Sequence, residues 1–124
     1  MPLMFLTGDG MRGGPLHHHI AGASLIGERR TAPRYRFYSI RDEFPALWPA
    51  GEGGQAILGE LYDVPMDRLR DLLAGEPPEL ELSVVELAAA ELSFGMVLRR
   101  GEHERGGHPD ITHYGGWRAY RQGH

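Results

Sequence analysis

Short apolar segments separated by turn residues recur along the chain and predict a fold built mainly from strands. In residues 34–40, large β-forming side chains alternate between two faces, with Tyr35 and Phe37 on one face and Tyr38 on the other. Glycine and proline are spread between the segments, which indicates many turns rather than disorder. The predicted strands are residues 3–6, 23–27, 34–40, 55–64, 80–87 and 91–98, and residues 44–48 form a further apolar patch between two prolines.

One segment has the period of an amphipathic helix. Apolar side chains recur at spacings of three and four in residues 65–74, and charged side chains take the opposite face. Pro65 suits the first position of such a helix, and Gly75 ends it. The apolar stripe consists of Met66, Leu69, Leu72 and Leu73.

The C-terminal part is more polar. Residues 99–109 are charged and contain glycine, which predicts an exposed loop. Further on, Trp117 and Tyr120 are spaced to share one face of a helix. With 124 residues the chain is long enough for one domain, residues 1–124, and its mixture of strands with one or two helices indicates the α+β class.

Composition narrows the function classes. The formal net charge is −4 and there is no cysteine, so nucleic acid is not an expected partner, and disulfides, thiolate metal sites and a cysteine nucleophile are excluded. No apolar run approaches the length of a membrane span, and we expect a cytoplasmic protein with no membrane partner. A small molecule is the expected ligand, and a homodimer remains open.

The first predicted strand ends in a glycine-rich loop. Glycines at positions 8, 10, 13 and 14 allow positive φ and close approach of a ligand to backbone N–H groups, so this loop either cradles a ligand or is only a tight connection. The spacing Gly8, Gly10 and Gly13 also matches the dinucleotide fingerprint, but no long helix follows, because Gly22 arrives too early. We therefore expect no cofactor.

Three adjacent histidines, His17, His18 and His19, invite a metal interpretation. Neighbouring side chains point about 100° apart on a helix, so three in a row cannot converge on one ion. We expect no metal site. The serines of the chain offer no nucleophile either, since none lies in a GxSxG turn.

Glu76 is the best candidate for proton-transfer chemistry. It follows the predicted helix and precedes two prolines, which stiffen its position. A half-buried carboxyl there would have a raised pKa and could move protons. The alternative is that Glu76 and Glu79 are solvated loop acids.

Several sequence blocks resemble the γ-glutamylcyclotransferase-like superfamily, and above all the C-terminal domain of allophanate hydrolase. The family begins with a strand that runs into Tyr-Gly-Ser/Thr-Leu, and its later blocks include a Tyr-x-x-Tyr pair. The ending of the chain is the most specific match to the allophanate hydrolase branch. The matching segments are residues 7–10, 11–13, 15–16, 27–38, 59–65, 110–112 and 115–120.

The resemblance implies a small, mostly antiparallel β-barrel with one or two packed helices and a pocket floored by the glycine loop. In cyclotransferases of this superfamily, a glutamate after the helix acts as general acid/base, and Glu76 occupies the matching place. In the allophanate hydrolase branch this position generally holds an apolar residue. The domain there is thought to help a carboxylated carbamate lose carbon dioxide.

The loop departs from the family pattern, since Thr7, Asp9 and Gly10 replace its tyrosine, hydroxyl residue and leucine. An aspartate at the pocket rim would repel an anionic substrate by about 1–4 kcal/mol. Either Asp9 turns away, or Arg12 or His18 offsets its charge, or the ligand is not an anion.

Three functions follow as hypotheses. The first is binding and decarboxylation of a carboxylated urea derivative, the second is a γ-glutamyl cyclotransferase that releases 5-oxoproline, and the third is a non-catalytic binding or assembly module. In the first two, Glu76 carries the proton. The expected binding residues are Gly8, Asp9, Gly10, Met11, Arg12, His18, Tyr38, Thr112 and Tyr114.

Overall fold

A computed structural model describes residues 2–15, 17–20 and 22–123, and shows an α+β fold of seven strands and three α-helices. His19 is described without its side chain. The strands are β1 (Leu3–Leu6), β2 (Ser24–Arg30), β3 (Tyr35–Ile40), β4 (Phe44–Pro49), β5 (Leu58–Asp63), β6 (Leu80–Glu86) and β7 (Leu92–Leu98). The helices are α1 (Met66–Ala74), α2 (Arg100–Arg105) and α3 (Trp117–Gly123).

The strands form one mixed sheet in the order β2-β5-β1-β7-β4-β3, with β6 paired to β7. The pairs β1–β7 and β4–β7 are parallel, and the others are antiparallel. Between the segments that follow β2 and β6, an isolated bridge joins Thr31 to Leu87, and the Ala32 amide donates to the Glu86 carbonyl at 3.0 Å. The predicted α+β class is confirmed, but the sheet is barrel-like without being closed.

The main hydrophobic core gathers side chains from the strands and from the helices α1 and α3. Phe37, Leu61 and Leu87 are fully buried there with the aromatic ring of Tyr62. In α1, Leu69 and Leu72 pack against this core, which confirms most of the predicted stripe, whereas Met66 is 67% exposed. Met66 is the first residue of the helix, so it lies at one end of the apolar stripe and outside the face that packs on the core.

The C-terminal helix α3 packs as its spacing predicts. Trp117 and Tyr120 are both buried, and their ring centroids lie 5.4 Å apart. By contrast, α2 buries none of its residues. Two packed helices, α1 and α3, therefore match the expected number.

Two segments differ from the sequence prediction. Residues 44–48, seen as an apolar patch, belong to β4, which forms a full ladder with β3 even though Pro45 and Pro49 lie in it. Residues 100–105, predicted as loop, form α2, where Arg100 and Glu104 pair at 3.4 Å across one turn. No helix of the described residues is long and apolar enough to span a membrane.

Candidate functional site

A cavity of about 310 Å³ opens where four elements meet: the glycine loop after β1, the β3–β4 turn, the end of α1 and the start of β6. Its walls are mostly apolar, with three carboxyl side chains from separate elements. The lining residues are Phe5, Leu6, Thr7, Gly8, Asp9, Gly10, Glu43, Phe44, Pro45, Leu72, Gly75, Glu76, Pro77, Leu80 and Met96.

The glycine loop folds back on itself through two successive turns. The amide of Met11 donates to the Gly8 carbonyl at 3.1 Å, and the amide of Gly14 donates to the Met11 carbonyl at 2.9 Å. A Cβ at Gly8 would lie 2.8 Å from Pro45 Cδ, and one at Gly14 would lie 2.2 Å from the Asp9 carbonyl oxygen. Glycine at these two positions is therefore what lets the loop pack against β4 and against itself.

Glu76 reaches the cavity because α1 ends just before it. The amide of Glu76 donates to the Leu73 carbonyl at 3.2 Å, and the amide of Leu80 donates to the Pro77 carbonyl at 3.1 Å, so the chain turns sharply into β6. The side chain is half-buried, and this burial raises its pKa to about 7. At neutral pH the carboxyl is then present in both protonation states, which suits a group that donates or accepts a proton.

The cavity wall is acidic. Besides Glu76 it carries Asp9 and Glu43, and no lysine, arginine or histidine is among its described lining residues. Glu43 lies 3.4 Å from Arg41, which offsets part of its charge. Asp9 accepts a hydrogen bond from the indole nitrogen of Trp117 at 3.1 Å, so one of its oxygens is directed towards α3.

The other side of the glycine loop is fixed by a buried glutamate that sequence reasoning missed. Glu60 on β5 is 1% exposed, and its Oε1 accepts from the Arg12 amide at 2.8 Å and the Tyr62 hydroxyl at 2.9 Å. Its Oε2 accepts from Arg12 Nε at 3.0 Å and faces Arg118 Nη1 at 3.4 Å. No pattern signals this role, because Glu60 looks like any polar residue between apolar neighbours.

Hydrogen bonds keep Glu60 ionised. Burial by itself would raise its pKa, but the bonds from the Arg12 backbone and guanidinium and from the Tyr62 hydroxyl outweigh burial, so the pKa lies below the ordinary value. Burial, and then the bond to Glu60, raise the pKa of Tyr62 to about 12. The ion pair between Glu60 and Arg12 thus holds the glycine loop in place.

The structure brings four of the predicted site residues together in the cavity: Gly8, Asp9, Gly10 and Glu76. Met11 and Arg12 lie next to them in the loop, but they face other surroundings, since Met11 is buried in the core and Arg12 binds Glu60. Glu43, Phe44, Pro45 and Met96 line the cavity although no sequence motif indicated them.

The remaining predicted site residues lie elsewhere. His18 is near the loop, where its Nδ1 lies 3.1 Å from the Pro15 carbonyl. The buried hydroxyl of Thr112 accepts from the Phe37 amide at 2.8 Å, and the ring of Tyr38 lies 6.0 Å from that of His103. The rings of Tyr114 and Tyr120 meet edge to face at 5.1 Å, and Tyr114 lines a separate cavity. None of these four predicted residues is among the described residues that line the cavity of Glu76.

Within the described residues, no group of three histidine or acidic side chains is placed to hold a metal ion. His17, the first of the three adjacent histidines, has its Nδ1 2.9 Å from the Gly10 carbonyl and thereby supports the glycine loop.

The fold has relatives of known structure. The family model of the allophanate hydrolase C-terminal domain matches residues 2–122. A uropathogenic E. coli-specific protein is 31% identical with a TM-score of 0.90, and the match covers 98% of this chain and 95% of that one. Allophanate hydrolase from Kluyveromyces lactis is 27% identical with a TM-score of 0.89, covering 98% of this chain and 21% of the enzyme.

Among curated proteins, urea amidolyase from Lachancea kluyveri is 27% identical in an alignment 122 residues long that covers 93% of this chain and 7% of the enzyme. The chain thus spans a small part of the curated relatives that it matches. The resemblance to the allophanate hydrolase C-terminal domain, expected from the glycine loop and the C-terminal blocks, is confirmed. The chain belongs to the allophanate hydrolase C-terminal domain family.

Proposed function

We propose that the cavity binds a small carboxylated urea derivative and that Glu76 promotes loss of carbon dioxide from it as a general acid. The observation that carries this proposal is the half-buried carboxyl of Glu76, with a pKa of about 7, in the lining of the same cavity as the backbone of the glycine loop. Family membership supplies the substrate class.

The chemistry matches a carboxyl that holds its proton near neutral pH. A carbamate loses carbon dioxide when its nitrogen takes a proton, because the C–N electron pair then leaves with the nitrogen. Protonated Glu76 donates that proton, the C–N bond breaks, and the products are carbon dioxide and the free amine or amide. Glu76 is left as the carboxylate and recovers a proton from water. In its neutral form it also does not repel the substrate carboxylate.

The remaining walls serve binding. The loop backbone at Gly8 and Gly10 would supply N–H donors to the substrate oxygens, and the side chains of Leu6, Leu72 and Met96 would exclude water. Asp9, turned in part towards Trp117, repels an anionic substrate less than a carboxylate aimed into the cavity would.

A second candidate is supported by the acidic wall. Glu43 and Asp9 suit a ligand that carries an ammonium group, as a γ-glutamyl amine does. In that reaction ionised Glu76 would take a proton from the substrate amine as it attacks the γ-carbonyl. The C–N bond of the γ-amide then breaks, the leaving nitrogen takes that proton from Glu76, and 5-oxoproline and the free amine are released.

The two candidates are separated by one set of assays on the same proteins. Stopped-flow proton uptake with a freshly prepared N-carboxycarbamate should show catalysed decay, and Glu76→Gln should abolish it, whereas the control Asp71→Asn on the exposed face of α1 should keep it. Release of 5-oxoproline from γ-glutamyl amines would instead establish the second candidate. Ligand binding by the wild type without turnover of either substrate would leave a non-catalytic binding module and refute both reactions.

A further inference from the structure

A second concavity lies on the opposite side of the glycine loop from Glu76. Its volume is also about 310 Å³, and it shares Gly8 and Asp9 with the cavity. Its walls come from the second half of the loop and from α3. Three guanidinium groups meet there: those of Arg12, Arg118 and Arg121.

The internal contacts of these arginines use only part of their hydrogen-bonding capacity. Arg12 gives its Nε to Glu60, and its two terminal nitrogens make no hydrogen bond within the described part of the chain. Arg118 uses both terminal nitrogens, one on Glu60 and one on the Arg12 carbonyl. Arg121 Nη1 donates to the Asp42 carbonyl at 2.9 Å. Since a guanidinium has five N–H donors, several remain for a ligand.

The three guanidinium groups have two carboxylate partners: Arg12 and Arg118 share that of Glu60, and Arg121 Nη1 lies 3.5 Å from Asp42 Oδ2. They carry one positive charge more than these two partners neutralise, and Asp9 is the acidic side chain of the lining that opposes a bound anion. The side chains of Arg12, Arg118 and Arg121 are 53%, 45% and 51% exposed, so they can adjust to a bound group. Arg121 is also placed over the Trp117 ring, 5.4 Å from its centroid, which limits its freedom.

We propose that this groove is a binding site for a small oxyanion of two or more charges, such as a phosphate or a dicarboxylate. The guanidinium forks of Arg12 and Arg121 contact its oxygens from two sides, as planar, bidentate donors do for carboxylate and phosphate groups. Because the site shares the loop with the cavity of Glu76, its occupancy stabilises the loop that forms the cavity wall. This site is independent of the reaction proposed for Glu76.

Isothermal titration calorimetry of the full chain at low ionic strength measures the dissociation constant for inorganic phosphate and, separately, for malonate. Arg121→Gln removes one fork, and Gln122→Glu adds a negative charge to the lining without removing a guanidinium. Each should weaken binding about tenfold, equivalent to about 1.4 kcal/mol. Arg100→Gln is the matched control, because this arginine is exposed on α2 and does not line the groove, and it should bind as the wild type does.

Two further variants separate this site from the cavity. Glu76→Gln should leave phosphate affinity unchanged, and Asp9→Asn should raise it, because one like charge leaves the groove while the Trp117 N–H keeps an oxygen acceptor. Absence of saturable binding, or equal loss in Arg100→Gln and Arg121→Gln, overturns the proposal. Failure of decarboxylation with phosphate binding intact would refute only the function proposed for Glu76.

Discussion

Two glutamates, Glu60 and Glu76, behave oppositely because of what surrounds them. Glu60 is more deeply buried, yet four hydrogen-bond donors keep it ionised. For Glu76, burial is the cause of the raised pKa, and no compensating donor contributes to the shift. A buried carboxyl is thus a permanent anchor or a proton carrier according to its partners rather than its depth.

The pH dependence of the free energy of unfolding should report the protonation state of Glu76. Between the ordinary pKa of 4.5 and about 7, the folded chain holds a proton that the unfolded chain has released, so this group lowers the free energy of unfolding as the pH rises through that interval. Glu76→Gln mimics the protonated side chain and should therefore have a higher Tm than the wild type at pH 8. The difference should shrink towards pH 5. A Tm difference that is constant from pH 5 to pH 8 would refute the raised pKa.

The anchoring role of Glu60 is tested by removing its carboxylate. Glu60→Ala leaves Arg12 and Arg118 without their shared carboxylate and the Tyr62 hydroxyl without an acceptor, and should lower the free energy of unfolding by about 2–3 kcal/mol. Urea denaturation measures this loss. Glu91→Ala, which breaks a half-exposed pair with Arg29, should cost less than about 1 kcal/mol. Equal losses in the two variants would mean that Glu60 is not a special anchor.

At the scale of elements, α1 matters because its last turn delivers Glu76. Leu69 and Leu72 fix the helix on the core, and the chain leaves the helix through Gly75. Looser packing of α1 on the core would therefore displace the Glu76 carboxyl as well as destabilise the fold.

Leu69→Ala should lower the free energy of unfolding by about 2–4 kcal/mol, because it removes a buried side chain and leaves a cavity. Met66→Ala, on the same helix but exposed, should change it by less than about 0.5 kcal/mol. Chemical denaturation with circular dichroism compares the two. Similar losses in both would contradict the packing of α1 described above.

The same scale shows what local patterns can predict. Hydrophobic periodicity and turn residues predicted β1, β3, β6, β7 and α1, because the side chains of these elements alternate or repeat on one face. They missed β4, where two prolines hide a ladder completed by β3, and α2, which buries none of its residues and carries charge pairs across its turns. Of the candidate site, the glycine loop and Glu76 were predicted as cavity residues, whereas Glu43 and Met96 come from turns and strands that meet only in the folded chain.

At the scale of the whole molecule, the glycine loop separates two surroundings of opposite character. On one side lies an acidic, largely apolar cavity, and on the other a groove lined by arginines. The loop is fixed by the neighbouring His17 and by two residues distant in the chain, Glu60 from β5 and Trp117 from α3. Such non-local contacts leave no periodic signal in the sequence, which is why neither the groove nor the anchor could be predicted.

The contact between Gly8 and Pro45 has a consequence for redesign. A single methyl group at position 8 would lie 2.8 Å from the proline ring, so this wall of the cavity consists of backbone with no room for a new side chain. Changes of substrate preference must therefore come from the opposite wall, where Leu72, Leu80 and Met96 can be exchanged for smaller or larger residues. Relatives or engineered libraries that vary these three positions and keep glycine at position 8 are where altered selectivity should be sought.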